Sequence, residues 1–313
     1  MSRRNATPLA LRGLLRTLII ASLLATGCSF RKWAINQMGD ALAGGASTAF
    51  AADDDPQLIK DAAPFSLKLI ETMLVESPRN RSLLEAAASG FTQYSYAFIQ
   101  TEADEVELTD LTRATELRHR ARRMYWRARD YGLRGLEVRV AGIGDAVRLD
   151  PKSAVARVMR KDDVPFLYWT AAAWGAGISI SKDQPEVVAQ QPIVEALIDR
   201  AYALDPDWEN GAIHSFLMNY ELARPSGRSE AVERARKHFE RVVELTGGKV
   251  ATPFVGWAES VCLGQQDRQE FETLLQRALA INPDEHPQAR LVNIIGQRRA
   301  RWLLGRVDEL FVE

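Results

Sequence analysis

Histidine is scarce in this chain, and the four present, His119, His214, His238 and His286, are scattered. None stands at ligand spacing from a cysteine or another histidine, so the common Cys/His metal sites are not expected. Cysteine is scarcer still, with only Cys28 and Cys262. No glycine-rich loop followed by Lys-Ser or Lys-Thr occurs, so a P-loop is not expected. No apolar run reaches the roughly 20 residues that span a bilayer, and the stretch Thr17 to Leu24 is far shorter. Clear two-residue alternation and hairpin turns are missing, which argues against β-structure. Ser179-Ile180-Ser181-Lys182 fits the S-x-x-K of penicillin-interacting enzymes. Its required Ser-Asp-Asn and Lys-Thr-Gly partners do not occur in the sequence. Together these gaps point away from an enzyme and from any cofactor.

What is present begins at the N-terminus. Met1 to Arg16 carries Arg3, Arg4, Arg12 and Arg16 and no acid. The apolar stretch to Leu24 and the small residues Ala25-Thr26-Gly27-Cys28 follow. A charged start, a short apolar run and a small-residue ending are the parts of an export signal. The ending resembles a bacterial lipobox, with Ala25 where Leu is usual and Leu24 one place earlier. Residues 1–27 are therefore read as a lipoprotein signal peptide and residues 28–55 as a lipid-tethered N-terminal segment, with Cys28 the lipidation site. Several acyl chains on one cysteine anchor firmly where a single chain does not. Ser29, not Asp, follows Cys28. The expected location is the periplasm, on the inner leaflet of the outer membrane, with membrane contact only through the anchor. Removing residues 1–27 takes away four arginines and no acid, leaving 36 basic against 41 acidic residues, a balance of −5. That balance argues against nucleic acid or an anionic lipid surface as partner. Cys262 sits in an apolar run and reads as a buried, inert thiol.

From residue 56 the chain reads as helix after helix. Asp53-Asp54-Asp55-Pro56 is a helix start, with Asp at the cap and Pro in the first turn. Similar joints recur at Ser77-Pro78-Arg79-Asn80, Asp205-Pro206-Asp207-Trp208 and Asn282-Pro283-Asp284-Glu285, with a weaker copy at Thr246-Gly247-Gly248-Lys249. At each joint a breaker ends one helix and a polar residue opens the next. The Ala-Leu-Asp-Pro and Ala-Ile-Asn-Pro endings resemble tetratricopeptide repeats, although residues 102–190 do not follow the period. The expected fold class is all-α, an irregular tetratricopeptide-like array of helical hairpins, α-solenoid-like, over residues 56–313.

Three segments carry candidate chemistry. Val164 to Ile178 is rich in aromatic and small residues, and Thr170, Ala173 and Gly177 share one helical face. Small residues there let another helix approach closely. Phe166, Tyr168, Trp169, Trp174 and Lys182 are the candidate ligand groove, apolar with a charged lip; tight core packing of a central helix accounts for the same residues. Seven arginines lie between Arg113 and Arg129, after the acidic run Glu102 to Asp110. Opposite runs so placed form ion-paired faces or a partner-docking surface. Gln297-Arg298-Arg299-Ala300-Arg301-Trp302 reads the same way, pairing with acids of adjacent helices or receiving a carboxylate. His214, on an apolar helix, reads as a hydrogen-bonded core histidine.

Several segments taken in order resemble one family. They are Pro64-Phe65-Ser66-Leu67-Lys68, Ala86-Ala87-Ala88-Ser89-Gly90-Phe91-Thr92-Gln93-Tyr94, Arg127-Ala128-Arg129-Asp130-Tyr131, Tyr168 to Gly175, Gly211-Ala212-Ile213-His214 and Gln297 to Leu304. The chain is similar to TatT, the periplasmic lipoprotein T component associated with TRAP-type transporters, over nearly all of it past the signal. The resemblance implies a non-enzymatic protein that assembles as a homotrimer. It implies binding to the periplasmic solute-binding protein (P component) of a TRAP transporter, and transfer of a hydrophobic or organic-acid ligand. An envelope scaffold that holds protein segments on the same repeats is the alternative.

Overall fold

The computed structural model describes residue 37, residues 49–224 and residues 228–311. Cys28 and the signal segment lie outside the described residues. Every regular element among the described residues is a helix. No helix there is long and apolar enough to cross a membrane.

Helix α1 (Pro56–Glu76) starts where the Asp-Pro signal places it. The Asp55 side chain accepts hydrogen bonds from the backbone N–H of Gln57 and Leu58, two groups the helix leaves unpaired. The Ser77 to Asn80 joint then turns the chain, and Asn80 caps α2 (Arg81–Tyr94) by accepting from the Leu83 N–H. This rod continues through a π-helical turn, Ser95–Gln100, into Thr101–Val106. Asp110 opens the longest helix, α3 (Leu111–Glu137), which returns along α2. Two short helices follow, α4 (Ile143–Leu149) and α5 (Pro151–Ala156). Next come α6 (Val164–Ser179), α7 (Gln191–Leu204), α8 (Trp208–Tyr220) and α9 (Arg228–Leu245). A second rod, α10 (Thr252–Trp257), also runs into a π-helical turn, Ala258–Cys262. The last elements are α11 (Arg268–Leu279), α12 (Arg290–Leu304) and α13 (Val307–Leu310). The aperiodic middle is thus one long helix, α6 and several short helical pieces, in place of equal hairpins.

Neighbouring helices share two cores. The larger holds Leu83, Leu84, Tyr125, Phe166, Leu167 and Trp174, and the smaller holds Phe254, Trp257, Cys262 and Phe271. They divide within α8, where Leu217 belongs to the first and Met218 to the second. The tightest seam joins α3 to α6. A Cβ on Gly132 would fall 2.1 Å from Thr170 Oγ1, and one on Gly177 would fall 2.5 Å from the Trp126 ring. The small-residue face read from Thr170, Ala173 and Gly177 therefore receives α3. Cys262 is fully buried in the second core, which pushes its thiol up to about 12.

The stack curves until its ends meet. Arg290 donates to the Ala52 carbonyl at 3.3 Å. Arg298 pairs with Glu105 at 2.6 Å, and Arg299 reaches Glu259 at 2.6 Å and Asp104 at 3.5 Å. Arg298 and Arg299 thus spend their charge on acids of Thr101–Val106 and of the Ala258–Cys262 turn. The acidic run also pairs locally, Glu102 with Arg113 and Lys60, Asp104 and Glu107 with Arg118. The Arg298 and Arg299 contacts are partly exposed ion pairs, whose net contribution to stability is small.

Candidate ligand-binding site

The five groove residues do not converge. Phe166 is 1% exposed, lies under the Arg81 guanidinium and fills the notch left by Gly135. Trp174 is fully buried in the first core. Lys182 is exposed beyond the end of α6. Tyr168 and Trp169 are half-buried and lie together, with ring centroids 4.8 Å apart.

Those two rings belong to a larger band that the sequence reading missed. Tyr168 meets Trp208 at 4.9 Å and Phe216 at 6.5 Å, and Phe216 stacks on Tyr220 at 5.2 Å. The partners come from α8, so only the fold joins them to α6. Edge-on and tilted contacts of this kind suit the ring quadrupoles. The chain reaches Trp208 through an unusual turn. Glu209, Asn210 and Gly211 all have left-handed backbone angles, φ 50°, 52° and 92°. Gly211 must stay glycine, because a Cβ there would also press on Leu245 at 3.0 Å. Three such residues in a row carry strain, and strain held by packing clusters at binding sites.

The band has an acidic end. Burial pushes the Glu85 carboxyl above its ordinary value; Arg81 pulls it back and Glu209 adds to the rise. Burial also pushes the Tyr168 hydroxyl up to about 12, with Glu209 contributing. A carboxylate ligand meets repulsion there, whereas a neutral apolar ligand does not.

Two pockets flank α7. One, of about 510 Å³, is lined by Arg129, Arg148, Pro151, Ala189, Gln190, Pro192 and Ile193. The other, of about 480 Å³, holds Glu195, Asp199, Tyr202, Glu221, Arg224, Arg234 and His238. In the second, Arg224 is bound to Asp199 and Glu221, and Arg234 is also on Glu221. At its rim His214 Nδ1 and His238 Nδ1 share a hydrogen bond of 2.8 Å, and His214 Nε2 lies 3.4 Å from Asp207. His214 is 5% exposed, the hydrogen-bonded core histidine that its apolar helix announces. Its partner His238, 24 positions along the chain, carried no signal. Burial lowers both imidazoles, His238 to about 4.

The S-x-x-K pair forms no catalytic contact. Ser179 Oγ donates to the Ala176 carbonyl at 2.8 Å, and both Ser179 and Lys182 are exposed at a helix end.

Comparison with known proteins adds two findings. Residues 52–311 match the family described as TRAP transporter T-component. A protein of Treponema pallidum (strain Nichols), described as uncharacterized, is 27% identical over 310 residues, covering 93% of this chain and 95% of that one.

Proposed function

Since the chain belongs to the TRAP transporter T-component family, we propose that it is a lipid-anchored periplasmic accessory protein that binds the solute-binding protein of a TRAP transporter and passes it a hydrophobic or organic-acid ligand. The observation that carries this reading is the family match, which takes in every helix from α1 to α13. Cys28, behind a short apolar run, is the proposed anchor, and the active form is a homotrimer. The proposal is non-enzymatic and needs no cofactor.

Two surface features support protein and ligand contacts. Leu58, Phe65 and Leu69 are 56%, 74% and 38% exposed on α1. At about 100° per residue they fall within one narrow stripe, and an apolar stripe in water marks a protein-contact surface. The Tyr168–Trp169–Trp208–Phe216 band gives an apolar ligand flat surface to stack on.

A binding titration tests the reading. The purified solute-binding protein of the same source organism, added to the full chain on a sensor surface, gives saturable association. Absence of association at high micromolar concentration removes the transport role and leaves the envelope-scaffold alternative.

A further inference from the structure

The pocket over Trp174 has a chemistry that the aromatic band lacks. Its residues come from four elements: Arg129 from α3, Arg148 from α4, Pro151 at the start of α5, and Gln190, Pro192 and Ile193 at the start of α7. Beneath them lies the buried Trp174 ring. Both guanidinium carbons sit over it, Arg129 at 4.9 Å and Arg148 at 5.7 Å. Arg129 also stacks on Trp126 at 4.8 Å, so its plane is held from two sides. Trp174 Nε1 donates to Gln190 Oε1 at 2.8 Å, and Gln190 Nε2 donates to the Glu186 carbonyl at 3.1 Å. The tryptophan thereby fixes both the basic floor and the amide wall.

The charge at this pocket is not balanced. Arg129 turns Nε and Nη2 toward Asp130 Oδ1, at 2.9 and 2.8 Å. Arg148 uses Nη1 on the Gly144 carbonyl at 2.6 Å and, among the described residues, has no carboxylate within ion-pair distance. Two fixed cations therefore face one acid, above the first turn of α7, whose dipole also favours an anion. The remaining walls, Pro151, Ala189, Pro192 and Ile193, are apolar. Planar guanidinium forks match a carboxylate, and apolar walls match a hydrocarbon body. The neighbouring pocket has no counterpart of Arg148, because both of its arginines are bound to Asp199 or Glu221. The band's acidic end opposes an anion. Trp169 and Trp174 point about 140° apart around α6 at 100° per residue, so pocket and band are separate.

We infer that the Arg129–Arg148 pocket over Trp174 is a binding site for a small monocarboxylate with an apolar body. The inference rests on the organic-acid part of the proposed function, and because binding is read on the protein alone, its failure and a failure to associate with the transporter component are distinguishable.

The test uses 3-(4-fluorophenyl)propanoate as probe and its amide as the uncharged control, titrated against the full chain by ¹⁹F NMR. The acid is expected to bind saturably, and the amide at least about tenfold more weakly, the scale of losing charged hydrogen bonds. Arg148→Gln, at an exposed position, is expected to weaken the acid about tenfold to a hundredfold with circular dichroism and Tm unchanged. Arg129→Lys keeps the charge, loses the planar stack on Trp126 and Trp174 that holds the cation in place, and weakens binding in the same direction. Trp169→Ala, in the band, leaves acid binding unchanged. Equal titration of wild type and Arg148→Gln overturns the assignment, as does an amide that binds as well as the acid. Loss of binding in Trp169→Ala alone, or no saturation at millimolar probe, overturns it too.

Discussion

Adding one methyl group at Gly132 is expected to loosen the seam on which the larger core depends. The new Cβ would stand 2.1 Å from Thr170 Oγ1, 3.2 Å from Thr170 Cβ and 3.3 Å from Thr170 Cα. The hydroxyl is held by its bond to the Phe166 carbonyl, and the Cα is backbone, so neither neighbour gives way cheaply. Relief requires α3 and α6 to move apart, and overpacking of this kind costs about 1–3 kcal/mol. Alanine in place of glycine returns about 1 kcal/mol through helix propensity. With the clash at the upper end, Gly132→Ala is expected to lose about 2 kcal/mol, a fall of roughly 4–8 °C in Tm for a domain of this size. Gly144→Ala is the control, because its Cβ would meet only Glu137 Oε2, at 3.8 Å. It is expected to be neutral or to gain up to about 1 kcal/mol. Urea unfolding followed by far-UV circular dichroism reads both. If Gly132→Ala is as stable as Gly144→Ala, the close approach of α3 to α6 is refuted.

Other perturbations probe the closure, the histidine pair and the α1 stripe. Arg299→Ala leaves Glu259 and Asp104 without their shared cation. These groups are only partly buried, so the loss is expected near about 1–3 kcal/mol, with faster amide exchange in Thr101–Val106 and α12. Exchange confined to α12 would refute the closure. His214 and His238 resist protonation in the folded chain, His238 down to about 4. The unfolded chain takes up those protons near pH 6.5. Stability is therefore full above about 6.5 and falls as pH drops toward about 4, by at most about 1.4 kcal/mol per pH unit for each histidine. His238→Gln is expected to flatten that slope between pH 6.5 and 4.5, and an unchanged slope would remove the pair as its source. Phe65→Glu is expected to leave the stability within about 0.5 kcal/mol of wild type, as an exposed site should. It should also weaken association at least about tenfold, on the scale of an interface anchor. Unchanged association clears the α1 stripe of any docking role.

Helix starts were the most legible part of the fold, because capping is local. Asp55-Pro56 and Asn80 each place a side-chain acceptor against N–H groups two or three residues on, a pattern visible in the chain itself. The small-residue face of α6 was legible for a similar reason, since its spacing shows without knowing which helix would fill it. The partner, α3, is set by Gly132 and Gly135, about 40 residues upstream, and no local pattern links them. The groove segment had two readings, and the structure divides them by helix face. Phe166 and Trp174 turn into the core, while Tyr168 and Trp169 turn toward α8. Trp208 and Phe216 complete the band only because of a left-handed turn at Glu209, Asn210 and Gly211, and two of those residues are not glycine. Asn210-Gly211 is a residue pair that visits the left-handed region, but Glu209 before it gives no such signal. The pocket over Trp174 was illegible for the same reason as the histidine pair. Arg129, Arg148 and Gln190 are brought together by tertiary packing alone.

The most direct test of the proposed role is native mass spectrometry of the full chain, alone and with the solute-binding protein of its TRAP transporter. A trimer that takes up solute-binding subunits and carries a small bound mass is the expected result. A monomer that ignores that partner contradicts it.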